Sequence, residues 1–288
     1  MISQRVMMAA RTAFYSRPAG LESEMSGAFL SRGQDFCRPG WINAGGTFPQ
    51  EAIIESPRMI SICIPAYEMG GEGARFLSRS LEAIRSQVFT DYETVVSDHS
   101  ADDKIEEVCA RFPKVRYVRY PRNRGKSSAN LNNAIDHASG DLIKVVFQDD
   151  FLAGPGALGR IAERIGDKSW LVHSYWHTDL SGGPRFWPCQ PLIPDQPWRM
   201  LRKNTIGAPT GIVFKRCELR FDQNLRWMMD CEFYYRLLRA FGRPAIVSEP
   251  LAVQTLWPGQ LTHQLSGGVK TWESLYVQRK ILQEWFRR

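Results

Sequence analysis

The stretch Leu142-Ile143-Lys144-Val145-Val146-Phe147-Gln148-Asp149-Asp150 decides the fold. Its apolar first part, rich in β-branched residues, reads as a buried parallel strand, and two adjacent acids at its end stand where open α/β sheets bind ligands. A hard divalent cation of the magnesium or manganese type takes oxygen ligands, and one or two carboxylates at a strand end can hold it against a diphosphate. A plainer role is also open to Asp149 and Asp150. Short acids accept hydrogen bonds from the first N–H groups of a helix, and Pro155-Gly156-Ala157-Leu158 announces one.

Upstream, the chain alternates strands and helices. Ile60–Pro65 is a short strand stopped by proline, and Phe76, Leu77, Leu81, Ile84 and Val88 then share one face of a helix. The alternation predicts strand 93–97, helix 104–111, strand 115–119, helix 127–138 and strand 142–147. Strands alternating with helices imply right-handed crossovers and a mostly parallel sheet, an α/β fold. Downstream the pattern is less regular: helices over 155–165 and 230–241, strands over 171–175, 212–214 and 245–247. Between them a proline-rich loop, Ser181 to Pro197, is of the kind that shapes a cleft. Near the end Trp272, Leu275, Tyr276, Leu282, Trp285 and Phe286 recur at near-helical spacing in a basic segment, which predicts a helix packed on the domain or lying on a membrane surface.

The composition sets bounds on function. The 288 residues are 43% hydrophobic and 23% charged, the balance of an ordinary globular enzyme. A net charge of +7 fits anionic partners, with the densest cluster at Arg116, Arg119, Arg122, Arg124 and Lys126, which reads as a solvated basic loop. Charge alone is a weak argument for nucleic acid, and no specific nucleic-acid partner is expected. Six cysteines lie scattered without a CxxC pair, which fits a reducing cytoplasm. No stretch approaches the ~18 consecutive apolar residues needed to cross a bilayer. Residues 1–57 are irregular and rich in Gly, Ser and Pro, with Arg5, Arg11 and Arg17 before the first acid, Glu22, and read as a flexible N-terminal extension.

Polar groups follow three more strands: Ala66-Tyr67-Glu68, Ser97-Asp98-His99-Ser100-Ala101-Asp102-Asp103, and Asn123-Arg124-Gly125-Lys126-Ser127. Taken singly, Asp98 could close an Asx turn, and Asp102 and Ser127 could cap helices. Together these loops can converge with Asp149 and Asp150 on one crevice at the carboxyl ends of the strands. The order of these segments, with Gly140-Asp141-Leu142, strongly resembles the family 2 glycosyltransferases over about Met59 to Thr262.

That resemblance implies a GT-A fold, a Rossmann-like sheet flanked by helices in one main domain, and an inverting transferase that moves a sugar, here UDP-linked, from a nucleotide-diphosphate sugar to an acceptor hydroxyl. The acceptor would be a glycan, a lipid-linked or another hydroxyl compound, as in cell-envelope polysaccharide synthesis, with the enzyme cytoplasmic or peripheral at the membrane. By the same resemblance, residues 58–153 form the nucleotide-sugar half, 154–265 the acceptor-binding and catalytic half, and 266–288 an amphipathic helix. Pro65, Ala66, Tyr67, Glu68, Asp98, Ser100, Lys126, Gln148 and Asp149 would line the donor site, and Asp150 would be the principal ligand of Mn2+ or Mg2+. Trp227-Met228-Met229-Asp230-Cys231-Glu232-Phe233 matches the family's catalytic-base segment, with Asp230 as the base. Gln148, Met229 and Trp257 depart from the family's frequent residues, an acid, Glu and His respectively. They motivate a rival reading as an inactive nucleotide-sugar-binding or scaffold protein. A nucleotidyltransferase lacks its glycine- and lysine-rich triphosphate loop here, and a dinucleotide oxidoreductase its G-x-G-x-x-G.

Overall fold

The computed structural model describes residues 59–286, so the 1–57 extension lies outside the described residues. The described chain opens with β1 (Ile60–Ala66), α1 (Gly73–Arg85), β2 (Tyr92–Asp98), α2 (Lys104–Cys109), β3 (Val115–Arg119), α3 (Ser127–Asp136) and β4 (Leu142–Val145). It continues through β5 (Phe151–Leu152), α4 (Ala157–Arg164), β6 (Trp170–Thr178), β7 (Phe186–Cys189), β8 (Ile212–Lys215), α5 (Met229–Phe241), β9 (Ala245–Thr255), α6 (Leu261–Gln264) and α7 (Gly267–Phe286).

One sheet, ordered β3-β2-β1-β4-β8-β6-β9-β5 with β7 added to β6, carries both halves. β3, β2, β1 and β4 pair in parallel, as the alternating pattern requires. β8 then enters antiparallel to β4 and β6, while β6 and β9 are parallel to each other. Successive residues of a strand face opposite sides, and both sides are covered. Ile60, Ile62, Ile64, Leu142 and Val146 pack with Leu77, Leu81, Ile105 and Leu158 under α1, α2 and α4. Cys63, Ile143 and Val145 pack with Leu131, Phe233, Leu237 and Val277 under α3, α5 and α7. This double layer holds the strand ends rigid, which is what a site assembled from loops needs.

Several boundaries differ from expectation for local reasons. α1 ends at Arg85, so Val88 lies beyond it and is 77% exposed, and its N–H donates instead to Pro155 O. The short strands β5 and β7 have no sequence period of their own and exist only by pairing with β9 and β6. β9 runs on from Ala245 through Pro250 to Thr255, tolerating the proline because the pairing with β6 shifts register beside it. Asp149 and Asp150 do not cap α4. β5 intervenes, and the cap position, Gly156, makes no side-chain bond.

Candidate active site

The loop after β1 is braced from below. Gln148 accepts a hydrogen bond from the Tyr67 N–H at 2.8 Å and donates to Gly73 O at 2.7 Å. A Cβ at Gly73 would stand 2.1 Å from Tyr67 O, so only glycine lets α1 start this close to the strand end. Gln148 therefore spends its amide on backbone and fixes the shape of the Tyr67–Gly73 loop. Pro65 and Ala66 are the buried end of β1, and Tyr67 is 41% exposed above them.

Around Ala66 lie groups with spare hydrogen-bonding capacity. Ala66 O accepts from His99 N and from Asn130 Nδ2, each at 2.9 Å. Arg124 straps the rim, donating to His99 O at 2.8 Å and to Glu68 at 3.0 Å. Yet His99 Nε2, Ser100 Oγ, Asn130 Oδ1 and Glu68 Oε2 are buried without a protein partner. Buried polar atoms normally find partners, so these four have hydrogen-bonding capacity that a ligand or water could use. Asp98 is fully buried, accepting from Ser100 N at 2.7 Å, the Asx turn its sequence allows, and from the Tyr117 hydroxyl at 2.8 Å. Lys126 is half-buried at the position preceding α3. Of the basic cluster, Arg116, Arg122 and Arg124 are exposed, as a solvated loop predicts, and Arg119 is the member engaged most extensively. Arg119 reaches Ser100 O, Asp102 O, Asp103 and Glu106, and Arg116 reaches His137 O.

Asp149 and Asp150 stand together at the end of the β4 segment, 9% and 3% exposed. Asp149 accepts from the Trp257 indole N–H at 2.9 Å. Asp150 accepts from the Thr210 hydroxyl at 2.5 Å and the Thr255 N–H at 3.1 Å. Burial pushes both carboxyls above the usual carboxylate range, and for Asp150 the neighbouring Asp149 adds to it. Arg79 of α1 reaches in over the Phe151 ring and donates to Asp149 O at 2.9 Å and Thr255 Oγ1 at 2.6 Å. Each carboxylate oxygen has two acceptor sites, so Asp149 and Asp150 keep lone pairs for a cation. Among the described residues no cluster of three or more His, Cys, Asp or Glu side chains could hold a metal. A cation held here would have these two carboxylates from the protein and take its remaining ligands from diphosphate and water.

Asp230 sits in the first turn of α5 and is partly exposed. Its Oδ2 accepts from Asn204 Nδ2 at 2.7 Å and its Oδ1 from the Cys231 N–H at 2.7 Å. Burial outweighs these bonds and pushes the carboxyl up to about 6. Glu232, also in that turn, faces away into the domain, paired with Arg236 and Lys280 at 2.7 Å each and 1% exposed. Met229 accepts a hydrogen bond on sulfur from Ser127, closing α5 onto α3 where the family often carries Glu.

Four participants escaped the sequence reading. Arg79, Asn204, Thr210 and Thr255 are common polar residues in unremarked segments, and only chain folding brings them to the acids. The loop 204–210 is the most telling, because Asn204 holds Asp230 at one end and Thr210 holds Asp150 at the other. Beneath it Lys144, in the middle of the apolar run, is fully buried, donating to Val145 O at 3.1 Å and to Thr210 O.

The profile of Glycosyl transferase family 2 matches residues 61–232. A protein of Mycobacterium tuberculosis with no assigned activity is 28% identical over 210 residues, 62% of each chain. The GalNAc(5)-diNAcBac-PP-undecaprenol beta-1,3-glucosyltransferase of Campylobacter jejuni is 25% identical over 112 residues, 38% of this chain and 35% of its own. The chain thus spans less than two thirds of these relatives. Among solved structures, S. aureus TarS 1–349 in complex with UDP-GlcNAc superposes with a TM-score of 0.55, at 16% identity over 72% of this chain and 61% of that one. A mannosyltransferase from Pyrobaculum calidifontis in complex with GDP-Man and Mn2+ gives 0.50, at 16% identity over 76% and 60%. These likenesses carry the GT-A fold. With the family profile covering more than half of its residues, the chain belongs to glycosyl transferase family 2.

Proposed function

We propose that this protein is an inverting glycosyltransferase that moves a sugar from a UDP-linked donor to an acceptor hydroxyl by single displacement. One observation carries the reading: the loop 204–210 bonds Asp150 at one end and Asp230 at the other, which supports a donor group and an acceptor group acting at one site. The unpartnered atoms around Ala66 support a nucleotide site there, to which we assign Pro65, Ala66, Tyr67, Glu68, Asp98, Ser100 and Lys126. Asp149 and Asp150 would hold Mn2+ or Mg2+, which supplies a Lewis acid against charge developing on the leaving diphosphate. Asp230 takes the proton of the acceptor hydroxyl as that oxygen attacks the anomeric carbon and the carbon–oxygen bond to the diphosphate breaks. A carboxyl near 6 is ionised at neutral pH yet basic enough to receive that proton. The surrounding bonds from Asn204 and Cys231 hold it in one orientation before the acceptor arrives.

By this reading residues 58–153 bind the donor and 154–265 the acceptor. The acceptor class is a glycan or lipid-linked hydroxyl compound, and the undecaprenol-linked substrate in the Campylobacter relative's name points the same way. Among the described residues no helix is long and apolar enough to cross a membrane. The test is a thermal-shift panel of UDP, GDP, dTDP and CMP with and without manganese, since a ligand of the native state raises its melting point. UDP with manganese should stabilise most. A flat panel would remove the donor assignment, while binding without any transfer to candidate acceptors would favour an inactive binding protein of the same fold.

A further inference from the structure

The last helix, α7, has two apolar faces and uses only one. Its inner face is fully employed: Val277 is buried, Glu273 accepts from the N–H groups of Arg226, Trp227 and Met228 at 2.8 to 2.9 Å, and Lys280 bridges Asp222 and Glu232. On the opposite side Trp272, Leu275, Leu282 and Phe286 are 53%, 62%, 58% and 88% exposed. At about 100° per residue these four, with exposed Arg279 between them, fall within about 80° of arc, centred about 180° from Val277, and span ~21 Å along the axis. Scattered apolar surface residues need no explanation, but a continuous stripe that folding does not use marks a contact surface.

We propose that this outer face of α7 seats the protein on an anionic lipid surface. The stripe carries the aromatic and aliphatic side chains that enter a headgroup layer, and its charge selects the partner. Arg279 stands in the middle of the stripe, Arg226 is exposed beside its first turn, Lys270 lies over the exposed Trp227 ring, and Arg287 and Arg288 follow Phe286 in the sequence. The whole chain carries +7. Against a second copy of the same face, Arg279 would enter a closed apolar seam, whereas lipid phosphates accept it at the level where the apolar side chains end. The membrane contact itself stands independently of the catalytic reading.

The experiment is co-sedimentation of the full chain with vesicles of phosphatidylcholine alone and of phosphatidylcholine with phosphatidylglycerol, at low and high salt. The chain should pellet with the anionic vesicles and be released by salt. Leu275→Ser with Leu282→Ser should lower partitioning about tenfold or more, at an unchanged melting temperature because both side chains already face solvent. Arg279→Glu is the second variant, should the first be unstable, and should lose the anionic preference. Binding equal on both vesicle types, or unaltered in both variants, would overturn the proposal. So would light scattering that shows a dimer converted to monomer by the double variant, since the stripe would then be a self-association seam.

Discussion

The end of β4 and the start of α5 both present acids to the cleft, and they are built oppositely. At β4, two carboxylates lie side by side, nearly inaccessible, with Asp150 pinned by a hydroxyl and a backbone N–H from segments far apart in sequence. At α5, a single carboxylate keeps access to solvent and is held by Asn204 and by its neighbour Cys231. In the first arrangement burial and mutual repulsion oppose the charged forms, a cost that a bound cation would relieve. The second lets one acid exchange a proton. Two acids in the same helical turn repeat the lesson at closer range, since Glu232, two residues from Asp230, is locked into an ion network and cannot reach the cleft.

The strongest way to break this comparison is Asp230→Asn. Turnover should fall about a hundredfold or more while nucleotide-sugar affinity stays within a small factor, measured by product formation and calorimetry. Near-normal turnover would remove Asp230 from the chemistry. Glu232→Gln should act on stability instead, costing about 2 kcal/mol in chemical denaturation because Lys280 and Arg236 lose a buried partner. Its pH–rate profile per folded molecule should match the parent's.

Asp150→Asn tests the other end of the cleft. Manganese-dependent UDP affinity should drop about tenfold, since an amide oxygen is an uncharged and poorer ligand for a hard cation. Without nucleotide and metal the same variant should melt higher, because a neutral amide escapes both the burial and the Asp149 repulsion that disfavour a charged Asp150. A lower melting point would mean that the pair is not strained by its charge.

The smallest effect is expected in the pH dependence. Asp230 is raised to about 6, so kcat/KM should climb with unit slope below that pH and level off above it. The sign for stability is opposite: a carboxyl raised on folding binds more protons in the native state, so its contribution weakens as pH rises from about 4 through 6. Asn204→Ala removes a donor to the ionised form and should move the activity limb upward by a fraction of a pH unit, roughly a twofold loss near pH 6. An unmoved limb would assign it to another group.

Much of the parallel half could be read directly from the chain, because Ile60–Pro65, Val115–Arg119 and Leu142–Val146 are apolar runs whose period and punctuation are local properties. The carboxylates at their ends were visible for the same reason, and so was Asp230 at a helix start. What folding alone decided is the rest of the cleft. β5 and β7 are strands only through their partners, and Gln148 became a brace because Gly73 admits it. Lys144 looked like an interruption in an apolar run, and its burial depends on the Thr210 carbonyl that a distant turn supplies beside that of Val145. Asn204 and Thr210 carry no local signal, since their roles come from hydrogen bonds to acids 26 and 60 residues away in sequence. Period and composition describe how a segment meets the core, but a hydrogen bond between separated segments exists only once the sheet has set their distance.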